Sequence, residues 1–263
     1  MRCAVVGHIE WVEFARVPAM PQPGDIVHAT STWSEPAGGG AVIASQINRL
    51  AGGCDFFTAL GEDEIGRESE RRLTELGLTL HVQYPDGSAS RRAWTHVNAQ
   101  GERTITLLSK KLLPWGPLPL DDFDAVFFVS GDVEALRSAR RAPFVAATTR
   151  EQPTLLEGRV PIDLLVGSLN DAGERFEGGL DVRTVVLTDG ARGGVANGEP
   201  YDAVEPAGPI VDTYGAGDSF SAALCFGLAR GDSLPAALQL AASAGAAVIT
   251  GRGPYTSQLT LTG

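Results

Sequence analysis

Asp218 closes the segment Asp212-Thr213-Tyr214-Gly215-Ala216-Gly217-Asp218, whose residue types can hold an anion and remove a proton at one place. Gly215 and Gly217 let backbone amides approach an anionic group closely, and a helix starting at Ala216 would add unpaired N–H groups with partial positive charge. That arrangement suits the charge developing on a transferring phosphoryl group. In the first helical turn the Asp218 carboxylate can face the same space and accept the proton of an attacking hydroxyl. A tight loop followed by an acidic residue that merely complements the helix dipole reads the same locally. The surrounding elements decide between the two.

The helix is supplied by residues Ala216 to Arg230, where Phe220, Ala223, Leu224 and Leu228 recur at three- and four-residue spacing and predict one face packed on a sheet. A second helical pattern runs from Leu234 to Thr250, with Ser233 as its predicted N-cap. Short apolar runs at Cys3 to Val6, Asp55 to Ala59, Ala125 to Val129, Phe144 to Ala147, Leu164 to Val166 and Val185 to Leu187 predict buried strands. Several are followed by helix-like stretches, so the sheet should be mostly parallel and flanked by helices. Alternating apolar and polar residues at Glu10 to Val17, Val27 to Trp33, Arg92 to Asn98 and Thr104 to Leu108 predict a small, half-exposed antiparallel sheet in two pieces, about 10–33 and 90–108. Such a sheet can cover the carboxyl ends of the parallel strands, where open α/β folds bind ligands, as a lid. The proline-rich stretch from Leu112 to Leu120 reads as a rigid crossover within one domain over residues 1–263.

Composition narrows the partners. A net charge of −11 argues against a surface that tracks nucleic-acid phosphates, which needs clustered Lys and Arg. No stretch reaches the roughly 18 apolar residues of a membrane span. Cys3, Cys54 and Cys225 lack metal-ligand spacing, and their odd number speaks against a disulfide framework, which places the chain in a reducing cytoplasm.

The run Asp212-Thr213-Tyr214-Gly215-Ala216-Gly217-Asp218-Ser219-Phe220, continued by small residues, resembles the carboxy-terminal signature of the pfkB-type carbohydrate kinases. Gly38-Gly39-Gly40-Ala41, leading through a helix to Gly52-Gly53 and then Leu60-Gly61-Glu62-Asp63, is similar to the family's amino-terminal signature. Gly7, Pro23-Gly24-Asp25, Thr188-Asp189-Gly190 and Gly251-Arg252-Gly253 follow in the family's order. The resemblance implies a ribokinase-like α/β fold with a β-sheet lid, ATP as phosphoryl donor and a small-molecule alcohol as acceptor. It implies Asp218 as catalytic base and the amides of Gly215, Ala216 and Gly217 as the anion hole. Thr188, Gly190 and Thr213 match the nucleotide site, with Gly215 and Gly217 beside it. Asp212 and the backbone at Gly253 match positions that hold a monovalent cation such as K⁺. A Mg²⁺ ion is implied on chemical grounds too, since a metal normally bridges the β- and γ-phosphates. A half-exposed lid sheet also suggests a homodimer.

Two departures stand out. Where the family has Asn-x-x-Glu to order the magnesium water shell, this chain has Ser168-Leu169-Asn170-Asp171, and Ser168 and Asp171 read either as water-mediated metal ligands or as helix caps. At the acceptor end, with Glu10 and the Gly38-Gly39-Gly40 cluster as its other candidate residues, Val12 and Val42 fall where sugar kinases place polar sugar contacts. Trp11, Trp33 and Trp94 either stack on a ring or pack lid against core. Arg91 and Arg92 point to opposite faces, so at most one enters the site. His8 sits at the edge of the first strand. The readings carried forward are a sugar kinase, a nucleoside kinase favoured by the two valines and the lid tryptophans, and a non-catalytic nucleotide or metabolite sensor. A dinucleotide redox enzyme is weakest, because no Gly-x-Gly-x-x-Gly follows the first strand.

Overall fold

Strands buried on both faces read as continuous apolar runs, and each such run forms a strand in the computed structural model, which describes residues 1–261. In chain order the elements are β1 (Cys3–Val6), β2 (Glu10–Arg16), β3 (Ser31–Ala37), α1 (Gly39–Ala51), β4 (Asp55–Ala59), α2 (Glu64–Glu75), β5 (Thr79–Gln83), β6 (Arg92–Val97) and β7 (Arg103–Leu107). There follow β8 (Ala125–Phe128), α3 (Val133–Ala139), β9 (Phe144–Thr148), α4 (Gln152–Gly158), β10 (Ile162–Ser168), β11 (Val182–Thr188), β12 (Gly194–Ala196), β13 (Glu199–Tyr201), α5 (Ala216–Ala229) and α6 (Leu234–Val248). The large sheet has the order β13-β12-β11-β10-β9-β8-β1-β4-β5. It is parallel from β5 to β11 and antiparallel at β12 and β13.

Side-chain alternation along β1 shows why both faces are covered. Cys3 and Val5 enter a core built with α1, α5 and α6, whereas Ala4 and Val6 enter one built with α3 and α4. The sequence pattern missed β5, β12 and β13, which are short and lie at or near the sheet's edges, where one face stays wet and no apolar run is needed. Helix α5 differs from its expected single stripe: Ser219 through Gly227 are all buried, because α1 and α6 enclose it along with the sheet. Ser233 stands at the N-cap of α6 but makes no capping hydrogen bond with its side chain. No helix among the described residues is long and apolar enough to cross a membrane.

The lid is a four-stranded sheet of order β3-β2-β6-β7. Its outer pairs are antiparallel as expected, but the central pair β2–β6 is parallel. Each piece leaves the core, turns and comes back, so the two outgoing strands lie side by side in one direction. The strand expected at Val27 to Trp33 runs instead over Ser31–Ala37. Pro18, Pro21, Pro23 and Gly24 leave the preceding stretch irregular and Ile26 and Val27 exposed, and Pro36 is tolerated because β3 is an edge.

The start of α1 is pressed onto the β1–β2 connection. A Cβ on Gly40 would lie 2.5 Å from the His8 carbonyl oxygen and 3.0 Å from the Gly7 carbonyl carbon. Backbone cannot yield as a side-chain tip can, so Gly40→Ala should lose about 1–3 kcal/mol of stability by urea unfolding. Unchanged stability would mean that this close approach is absent.

Candidate active site

The loop before α5 is fixed from three sides. Asp212, fully buried, accepts hydrogen bonds from the Tyr214 amide at 2.9 Å and the Gly253 amide at 3.1 Å. Both the amide and the hydroxyl of Thr213 donate to the Gly101 carbonyl at the lid turn, at 2.9 and 3.0 Å. The Tyr214 hydroxyl accepts from the Gly38 amide at 3.2 Å. Gly215 then turns with φ of 83°, a conformation that strains any residue with a Cβ, and a Cβ there would also sit 3.1 Å from Val42 and Pro254. Gly217 is unlike it: its φ is not positive, it is exposed, and a Cβ would meet nothing within 4 Å.

Asp218 keeps only part of its surface open. Burial pushes its carboxyl up to about 6 from an ordinary 3.8, opposed by the Arg103 guanidinium and reinforced by Glu174 and Glu10. A carboxylate tuned to that range is suited to general-base work near neutral pH. A Cβ on Gly39 would lie 3.2 Å from Asp218 Oδ1, so the first turn of α1 forms the wall opposite α5.

Charged side chains from distant elements act on Asp218 and on the neighbouring His8 and Glu10. Arg103, on β7, lies over the Tyr214 ring at 5.8 Å. Arg150 pairs with Asp171 at 2.5 Å and Glu174 at 2.9 Å, and Lys111 pairs with Glu151 at 2.5 Å. Arg91 lies 3.1 Å from Glu10. His8 shares a 3.0 Å hydrogen bond with the Ser130 hydroxyl, and burial, then Lys111, Arg91 and Arg150, hold its pKa well below the ordinary value, so it is neutral.

The residues singled out in the sequence fall into two groups. Gly39 lies against Asp218, its neighbour Gly38 against Glu10, and Gly40 against the backbone of Gly7 and His8. Ser168 and Thr188 are partners across β10 and β11, with Gly190 just beyond, at the carboxyl ends of those strands. Asp171 caps the short 3-10 turn Ala172–Glu174 by accepting from the Gly173 amide at 2.8 Å. The expectation that Val12 and Val42 line the acceptor space meets a different arrangement: both are fully buried, packed with Phe14, Ala37 and Tyr214 where lid meets core. Trp33 stacks on Phe14 at 4.8 Å, Trp11 lies under Arg72, and Trp94 donates to His96 at 3.1 Å. Arg91 and Arg92 do diverge, Arg92 turning to Glu13 at the surface. Arg103, Lys111, Arg150, Glu151 and Glu174 went unseen in the sequence, where each reads as an ordinary surface charge.

A mostly parallel sheet with a lid, a glycine turn at a helix amino end and a carboxylate whose pKa burial raises are the features of a small-molecule kinase class with an alcohol acceptor. The chain belongs to the pfkB family of carbohydrate kinases, whose sequence profile it matches over residues 1–151 and 157–261. It is 45% identical over 74 residues to the Acarbose 7(IV)-phosphotransferase of Actinoplanes sp., a match covering 26% of this chain and only 25% of that protein. It is 25% identical over 271 residues to the 5-dehydro-2-deoxygluconokinase of Geobacillus kaustophilus, covering 84% of this chain and 81% of that one. Among solved structures, ribokinase from Cryptococcus neoformans in complex with ADP has the same fold, with a TM-score of 0.78 at 22% identity over 99% of this chain and 97% of that one.

Proposed function

We propose that the protein transfers the γ-phosphoryl group of ATP to a hydroxymethyl group of a sugar or sugar-like alcohol. The observation that carries this reading is the open space at Gly217. Glycine in a helical turn costs roughly 0.5–1 kcal/mol relative to alanine, and here neither backbone conformation nor packing demands it. Room for a ligand beside Asp218 explains it.

In this scheme the acceptor hydroxyl lies against Asp218. The carboxylate takes the hydroxyl proton, the oxygen attacks the γ-phosphorus, the bond to the β-phosphate oxygen breaks, and ADP leaves. The amides of Gly215, Ala216 and Gly217 receive the developing charge, and Thr213, Thr188 and Gly190 border the nucleotide. Asp171 and Ser168 are the candidates to face a hydrated Mg²⁺, with Glu174 adjacent. Such an ion keeps most of its waters and needs few carboxylates, and the ion pairs to Arg150 that would have to yield are half-exposed and weak. Held there, a magnesium ion would supply positive charge to offset that of the nucleotide's phosphates. Asp212 fits a monovalent cation: it is a buried carboxylate with two amide donors and no ion-pair partner among the described residues, and its pKa is raised by burial. With the backbone at Gly253 it would hold K⁺, which would offset negative charge behind the anion hole.

The buried, free state of Cys3, Cys54 and Cys225 fits a reducing cytoplasm. Strand β7, with Ile105 and Leu107 exposed, is the lid edge on which a second copy would pair. The valines that favoured a nucleoside kinase have no open surface, and the lid tryptophans have partners within the protein, Trp33 on Phe14, Trp11 under Arg72 and Trp94 on His96, so the sugar reading leads.

ADP release measured with a panel of sugars and nucleosides tests the assignment. The rate with the best acceptor should fall with unit slope below about pH 6, because the base must be deprotonated. Absence of acceptor-dependent ADP release would end this reading. Gly217→Ala should raise helix stability by roughly 0.5–1 kcal/mol while lowering transfer by roughly tenfold or more. A variant that is more stable and equally active would leave the open space without a purpose.

A further inference from the structure

Glu10 opens β2 and Arg91 immediately precedes β6, and because those strands are parallel neighbours, both side chains stand where the lid leaves the core. They are 6% and 8% exposed. Buried charges ordinarily complete their hydrogen bonds. Arg91 Nε lies 3.1 Å from Glu10 Oε2, yet neither atom completes a directed hydrogen bond, and among the described residues no hydrogen bond satisfies either side chain. The neighbouring pairs differ: Lys111 donates to Glu151, and Arg150 to Asp171 and Glu174.

The unsatisfied pair adjoins the reaction centre. A Cβ on Gly38 would meet Glu10 Cγ at 2.9 Å, and a Cβ on Gly39, the next residue, would meet Asp218 Oδ1 at 3.2 Å. Glu10 also helps raise the Asp218 pKa. The position of Arg91 is built rather than incidental. Asp63 accepts from the Ser90 amide at 2.7 Å and from its hydroxyl at 2.6 Å, and the Gly61 amide donates to the Ser90 hydroxyl at 3.0 Å. Burial pushes the Asp63 carboxyl up, but the bonds from Ser90 and Gly66 outweigh it and hold it below its usual range. On the other side, the Trp11 amide donates to the Arg91 carbonyl at 2.8 Å.

We propose that Glu10 and Arg91 form a charge-neutral clamp for two neighbouring hydroxyl groups of the acceptor, and that Arg91 thereby determines specificity; this rests on the kinase reading above. A carboxylate only accepts hydrogen bonds and a guanidinium only donates them, whereas a hydroxyl does both. Two adjacent hydroxyls therefore give their protons to Glu10 and take N–H bonds from Arg91, completing both charged groups. An acceptor carboxylate or phosphate in the same place satisfies Arg91 but sets an anion against Glu10, and an ammonium does the reverse. The acceptor class is thus an uncharged polyol with a pair of free neighbouring hydroxyls besides the one phosphorylated.

Calorimetric titration of an uncharged sugar panel, single-deoxy analogues of the best binder and its carboxylate-bearing counterpart tests this. It is run on the wild type, Arg91→Met, Arg91→Lys and the double variant Glu10→Gln/Arg91→Met, with turnover measured alongside. Loss of either hydroxyl of one adjacent pair should weaken wild-type binding by roughly a hundredfold or more. Arg91→Met should bind the parent sugar about as weakly as the wild type binds that analogue and no longer distinguish the two; KM should rise more than kcat falls, and nucleotide affinity should hold. Arg91→Lys should restore part of the discrimination. If Arg91→Met does not fold, the double variant, which leaves no lone buried charge, takes its place. Full discrimination in the double variant, stronger binding of the carboxylate-bearing sugar, or no binding of any polyol overturns the clamp. Binding with the predicted pattern but without phosphoryl transfer would sink the kinase reading and leave the clamp standing.

Discussion

Asp218→Asn should lower phosphoryl transfer by roughly a hundredfold or more, leave nucleotide binding in place, and make the protein more stable above about pH 6. The rate loss follows from removing the proton acceptor while keeping the shape of the side chain. The stability gain follows from the same burial that makes Asp218 a usable base. Its carboxyl titrates at about 6 in the folded protein against 3.8 ordinarily, a displacement of about two units, or about 3 kcal/mol. The folded state holds the proton more tightly than the unfolded chain, so this contribution is fully present below about pH 3.8 and is lost as the pH rises through about 6. Asparagine carries no charge to bury, so thermal unfolding at pH 8 should show the variant above the wild type. The gap should close as the pH falls towards 4. A variant that keeps its rate would show that Asp218 is not the base, and a stability difference that ignores pH would show that its charge is not strained by the site.

What the chain reveals by itself depends on how local the cause is. Asp218, Gly215 and Gly217 are separated by at most three positions, and their joint placement follows from one loop and one helix start, so the sequence carries the juxtaposition on which the proposed base and anion hole rest. The central strands were legible for a similar reason, since burial on both faces demands an unbroken apolar run such as Cys3–Val6. Val12 and Val42 show the opposite case. Their places in the chain are those of polar sugar contacts, but three-dimensional packing turns both into the cluster that seats the lid on the core. The parallel pairing of β2 with β6 likewise depends on how two separate excursions dock. The charges that act on Asp218 and His8, from Arg91, Arg103, Lys111, Arg150 and Glu174, come from different elements and have no local signature. Gly61 and Asp63 were read as parts of a signature, yet their physical role, anchoring Ser90 and hence Arg91, appears only in the hydrogen bonds.

Arg103→Met should lower kcat by about a hundredfold and move the acid limb of the kcat/KM profile to higher pH. Arg103 is exposed, its side chain makes no ion pair or hydrogen bond among the described residues, and its guanidinium lies over the Tyr214 ring at 5.8 Å. It is the largest influence opposing protonation of Asp218. Its place is set by the lid turn, because Gly101, two residues earlier, accepts both hydrogen bonds of Thr213 from the catalytic loop. On the kinase reading a guanidinium there, with its N–H groups free, would donate to oxygens of the phosphoryl group in transfer, and loss of one such donor typically costs roughly a hundredfold or more in rate. Its positive charge also favours the ionised base, so removing it must raise the Asp218 pKa, and more of the enzyme is then protonated at a given pH. Arg103→Lys keeps the charge and loses the planar fork, so it should restore the position of the acid limb better than it restores kcat. The two readouts separate the functions: a fall in kcat with an unmoved limb assigns Arg103 to the phosphoryl group alone, and a wild-type rate with an unmoved limb removes it from the site.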